Sequence, residues 1–148
     1  MIDLTSIALF DILLFFHIVG IIIGLGAVTV IDTMGFVARK NLKWTQTTIE
    51  AHHVTKPLIW LGTSIVLISW IAIIALFGID MVGIVKSILL VMLIINGSFL
   101  SFYVSPRLDT LSGKKQLLPF ALQVKITISM LISFFGWWTF VFLTVIRV

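Results

Sequence analysis

The chain has 148 residues, of which 60% are hydrophobic and 11% charged, with a formal net charge of +4 and no cysteine. A mean hydropathy of +1.23 excludes a soluble globular domain, and the lack of cysteine excludes disulfides, thiolate metal sites and covalently attached c-type haem. The basic residues gather in two loops, so the positive charge concerns membrane topology and is no nucleic-acid footprint.

Four apolar runs, at 12–31, 58–79, 84–104 and 119–146, each reach the length a bilayer core requires, about 20 residues. They predict an all-α integral membrane protein, one up-down four-helix bundle over residues 1–148. The opening "MIDLTS" is acidic and no small-residue cleavage pattern follows the first run, so that run reads as a retained helix. The loop at 32–57 carries Arg39, Lys40, Lys43 and Lys56, and the loop at 105–118 carries Arg107, Lys114 and Lys115. "FGIDMVG", between the second and third runs, has no basic residue, and the N-terminus has Asp3 and Asp11. The positive-inside rule then places both basic loops in the cytoplasm and both termini outside the cell membrane.

Helix 1 is expected to begin near Thr5 and to continue past Asp32. Its stretch "FFHIVGIIIGLG" holds His17 and the pair Gly20 and Gly24, a spacing that lets another helix approach closely. At about 100° per residue, His17, Gly20, Gly24 and Gly35 share one face, with Asp32 to one side. His17 therefore belongs to a packed face, where an imidazole is a hydrogen-bonded packing residue, a proton relay or an axial haem ligand.

Ahead of helix 2, "TTIE" sets Thr47 and Glu50 in a capping-box pattern, which predicts a helix start there, and Pro57 either kinks that helix or opens its spanning part. Trp44 and Trp60 are expected at the inner interface. His52 and His53 are adjacent, point about 100° apart and lack the spacing of a two-histidine metal motif. With Lys56 they suit anionic headgroups. They lie roughly 25 Å from His17 along the membrane normal, so the three cannot share one iron.

Helix 3 sets Lys86, Leu90, Leu93 and Gly97 on one stripe, with Ser101 close by. Lys86 either snorkels to the outer interface or turns inward, and it falls at a depth where it could meet His17. Helix 4 is expected to present Lys125, Ser129, Gly136 and Thr139 inward, with Ser133 at the edge and an ion pair from Lys125 to Asp32. Met92 and Met130 read as core fillers.

"FFHIVGIIIGLG" and "GIVKSILLVMLIINGSFL", a histidine on one helix and a lysine opening another, resemble a group of small four-helix membrane proteins. That group includes the HemJ-type protoporphyrinogen oxidases and the CopD-like membrane proteins. The resemblance covers helices 1 and 3. It implies a haem b protein, a membrane oxidoreductase acting in electron transfer or porphyrin oxidation, with His17 as metal ligand and Lys86 as its catalytic companion. Gly20 and Gly24 would then make room for the flat ring, and a redox partner or quinone would complete the reaction. Two other readings stand beside it. One is a small transporter or ion-path protein, in which His17, Asp32, Lys86 and Lys125 form a polar file and the chain forms a homo-oligomer. The other is a non-catalytic accessory subunit of a larger membrane complex.

Overall fold

The computed structural model describes residues 4–114 and 117–146. Asp3 and Lys115, which enter the topology argument above, lie outside the described residues. The described chain is helical, with four rods long and apolar enough to cross a membrane. This is a multi-pass membrane protein. The rods are α1 (Leu4–Ala38), α2 (Leu42–Phe77), α3 (Met81–Phe99) continued by α4 (Ser105–Asp109), and α5 (Phe120–Val145). With 35 residues, α1 runs about 52 Å, well beyond a hydrocarbon core of about 30 Å.

The hairpin turns tightly at Asn41, whose side chain accepts from Trp44 N at 3.2 Å, while Thr45 Oγ1 donates back to Ala38 O at 2.8 Å. Helix 2 therefore begins at Leu42, not at the expected capping box. Thr47 sits one turn inside it, its hydroxyl donating to Lys43 O. Asn41 supplies the cap first, and the nucleus propagates through the later pattern. Pro57 lies inside this continuous helix. Asp80 caps α3 by accepting from Gly83 N at 2.9 Å.

The α1–α2 seam is the tightest in the bundle, and glycine makes it so. A Cβ on Gly62 would stand 2.7 Å from Gly20 O and would overlap the backbone of Gly24. The G-x-x-x-G of helix 1 is therefore used inside the chain, against α2. Helices α3 and α5 form the second pair, locked by Asn96. Its amide donates to Ser129 O (3.0 Å) and Ser133 Oγ (2.9 Å), and its carbonyl accepts from Ser129 Oγ at 2.6 Å. A cluster of Ile21, Val28, Val66, Trp70, Leu90, Leu93, Trp137 and Phe140 fills the middle. Outward faces carry Ile22, Ile68, Ile95 and Phe135, as expected where the solvent is lipid.

Between α3 and α4 the rod widens into one π-helical turn, Leu100–Val104. Two residues of α2 hold it: Lys56 Nζ donates to Ser101 O (3.3 Å) and Ser105 Oγ (3.4 Å), and Trp60 Nε1 donates to Ser101 Oγ at 2.8 Å. Gln46 clamps the following loop, donating to Lys114 O and accepting from Gly113 N, both at 2.9 Å. The expected inward stripe of helix 4 is partly corrected. Ser129, Ser133 and Gly136 are buried with Trp137, Phe140 and Thr144, whereas Lys125 and Thr139 are exposed. The two large aromatic rings claim the interior, which rotates Thr139 outward.

Candidate functional site

Polar groups buried in the bundle gather at two levels. The first centres on His17, which is fully enclosed. Its Nδ1 lies 3.0 Å from Ser69 Oγ. The Ser69 hydroxyl has a single proton and stands 2.8 Å and 3.0 Å from the carbonyls of Ile65 and Val66; with that proton given to a carbonyl, Ser69 Oγ accepts from His17 Nδ1–H. That tautomer leaves the Nε2 lone pair free, and Nε2 is indeed buried without a hydrogen-bond partner.

Lys86 comes to the same place. It is 5% exposed, so it turns inward and does not snorkel. Its ammonium stands 4.2 Å from the centroid of Trp70 and 5.1 Å from that of Phe140. The His17 ring lies 5.7 Å and 5.6 Å from the same two centroids. The two sequence candidates thus meet across a shared pair of aromatic rings, and Ser87 fixes one of them by accepting from Trp70 Nε1 at 3.0 Å. Among the described residues no carboxylate pairs with Lys86.

The second level lies about 22 Å further along α1, towards the basic end. Here all four rods line a cavity of about 100 Å³, room for several waters. Its walls are mostly apolar, interrupted by Asp32, His52, Lys56, Thr63, Ser101 and Ser133. Asp32 Oδ2 and His52 Nε2 are buried there without partners. Antiparallel pairing of α1 with α2, fixed by Gly24 against Gly62 and by Ala38 against Thr45, sets Asp32 level with the turn that carries His52. The expected ion pair of Asp32 with Lys125 does not form. Lys125 points outward and donates to Tyr103 Oη at 2.6 Å. His53, about a third of a turn from His52, faces out to Asp109 Oδ1 at 3.4 Å, so only one histidine of the pair serves the cavity.

Trp137 separates the two levels. It lines the cavity, covers Gly24, and meets Phe140 edge-on at 6.3 Å, and Phe140 in turn touches His17. No family model, curated protein or solved structure matches this chain. The site must therefore be read from its own chemistry.

A haem at His17 would find a donor in Nε2, held in register by Ser69 as a ligating imidazole is held by its second partner. The space around it is occupied. Gly20 is covered by Gly62 and Val66, Gly24 by Trp137, and the cavity beside Asp32 does not reach His17, Gly20 or Gly24. A macrocycle would have to displace Trp70, Phe140 or Trp137. Among the described residues no three His, Asp or Glu side chains gather to hold a metal. Sequence reasoning missed Ser69, Trp70, Trp137 and Phe140. A serine at the depth of His17 on the neighbouring helix was the available signal; the inward rotation of the aromatic rings had none.

Proposed function

We propose that this is a small ion-path protein of the cell membrane that handles protons, with the cavity facing the cytoplasm, as the basic loops beside it indicate under the positive-inside rule. One observation carries the reading. Two titratable groups, Asp32 and His52, each keep a buried atom unpartnered beside one cavity with room for several waters. A carboxylate or imidazole in a membrane bundle costs several kcal/mol unless it is paired or hydrated, and such groups mark ion and proton pathways. In this reading Asp32 and His52 exchange protons with the cytoplasmic side. His17 Nε2 is the acceptor on the far side, Lys86 sets the local charge, and Trp137 with Phe140 forms the barrier between the two levels.

The haem reading keeps one specific support, the unpartnered Nε2 of a histidine whose Nδ1 is already fixed. When bound, a haem would supply one-electron chemistry, with His17 as axial ligand. Two measurements on one preparation separate the readings. In liposomes with a pH-sensitive dye inside, an imposed potential should drive proton entry that Asp32→Asn and His17→Ala both abolish. An absorption spectrum of the same protein, oxidised and then dithionite-reduced, should show no Soret band. A Soret band lost in His17→Ala, together with tight vesicles, would replace the proton path by the cofactor reading.

A further inference from the structure

A second hollow lies outside the bundle's interior, between α3 and α5 and towards the basic end. It is a groove of about 650 Å³, open along the lipid face and floored by the Asn96–Ser129 contact. Its walls are Ile88, Ile95, Phe99, Ile128 and Ile132, and Lys125 stands at its end. From Ile88 to Phe99 it runs about 17 Å along α3, the scale of a lipid chain and not of a polar solute.

The end of the groove is built from cations and aromatic rings. The π-helical turn carries Tyr103, which stacks on Phe99 at 5.1 Å, and Phe99 is itself a groove wall. Arg107 Cζ lies 3.5 Å from the centroid of the Tyr103 ring, with Nη1 donating to Tyr103 O at 2.6 Å. Lys125 reaches the same ring from α5 and donates to its hydroxyl. Each cation uses one N–H in these bonds, so most of their donors stay free. Among the described residues neither has a carboxylate partner, and both side chains are exposed.

We propose that the groove between α3 and α5 binds one anionic phospholipid, its phosphate held by Lys125 and Arg107 and an acyl chain lying along Ile95 and Ile132. Charge decides the occupant. A second copy of this chain would bring the same two cations to the same place, whereas an anionic headgroup neutralises them. Basic pockets between spans, beside an apolar groove, recognise anionic lipids in this way. A π-helical turn often marks a functional position, and this one brings Tyr103 to the point where Arg107 and Lys125 converge.

Native mass spectrometry of the full chain in neutral detergent tests the proposal, with phosphatidylglycerol and phosphatidylcholine of identical chains supplied at equal concentration. One phosphatidylglycerol should be retained about thirtyfold more tightly than phosphatidylcholine, since the two surface cations together contribute about 2 kcal/mol. Lys125→Gln with Arg107→Gln should erase that preference. Ile95→Trp, which fills the groove and leaves the charges alone, should expel both lipids, and inorganic phosphate should not compete. Equal retention of the two lipids by the unaltered chain overturns the proposal, as does a preference that survives the double substitution. Displacement by inorganic phosphate reduces the site to one for free anions. A dimer without lipid, broken by Ile95→Trp, assigns the groove to a second copy.

Discussion

Ser69 holds His17 Nδ1 at 3.0 Å across the α1–α2 seam and leaves Nε2 without a partner. The hydrogen bond is possible because Gly20, Gly24 and Gly62 bring the two backbones together within two turns. The packing motif and the chemical group are therefore one construction. The glycines set the spacing, and the spacing lets a serine fix the imidazole.

Substituting Ser69 by alanine removes the acceptor and frees the ring to rotate or to change tautomer. In a membrane bundle one such bond is worth about 1 kcal/mol, so the fold should survive. Proton flux in liposomes should fall sharply in Ser69→Ala and recover in Ser69→Thr, which keeps the hydroxyl. Unchanged flux in the alanine variant would remove Ser69 from the path.

The glycine seam is a stability element. Gly62→Val places a branched side chain where even a Cβ overlaps α1 backbone, and a backbone cannot rotate out of the way as a side chain can. Overpacking of this kind costs about 1–3 kcal/mol. Thermal unfolding in detergent should shift down for Gly62→Val and stay nearly unchanged for Gly26→Ala, since a Cβ at Gly26 meets nothing within 4 Å.

Much of this arrangement was legible in the sequence. Four spans, a packed face through His17, Gly20 and Gly24, and a depth match of His17 with Lys86 all follow from helical periodicity, because rise and rotation per residue are fixed by the backbone. The start of α2 was misplaced because Asn41 and Thr47 are both good caps, and their competition is settled by Thr45 reaching Ala38 across the turn. The pairing of Asp32 with Lys125 was misread for a related reason. Periodicity gives angles within one helix, but the partner of Lys125 depends on how α5 rolls against α3, and the Trp137 and Phe140 rings set that roll. The cavity was not legible at all, since an enclosed space is a property of four helices together.

Lys86 separates stability from function. Its buried ammonium has two aromatic faces and, among the described residues, no carboxylate. Cation–π contact returns about 2 kcal/mol when desolvated, while burying an unpaired charge costs at least as much. Lys86→Met keeps the volume and removes the charge, so its unfolding temperature should match or exceed that of the parent. Proton flux should nonetheless be lost. A variant that unfolds earlier would show that Lys86 is retained for the fold.

Trp137 gives the most direct test of the two-level arrangement. It forms the end of the cavity, fills the space over Gly24 and bears on Phe140, which touches His17. Trp137→Ala deletes the barrier and should join the cavity to the His17 level. A large-to-small change of this size costs about 3–5 kcal/mol, so Trp137→Leu, which keeps an apolar filler, serves as the stability control. With both variants folded by circular dichroism, Trp137→Ala should pass protons faster than the parent under the same imposed potential. Adding Asp32→Asn to it should restore tightness, because the enlarged space would still need its titratable entrance. Slower flux in Trp137→Ala would mean that the indole takes part in the path and does not close it.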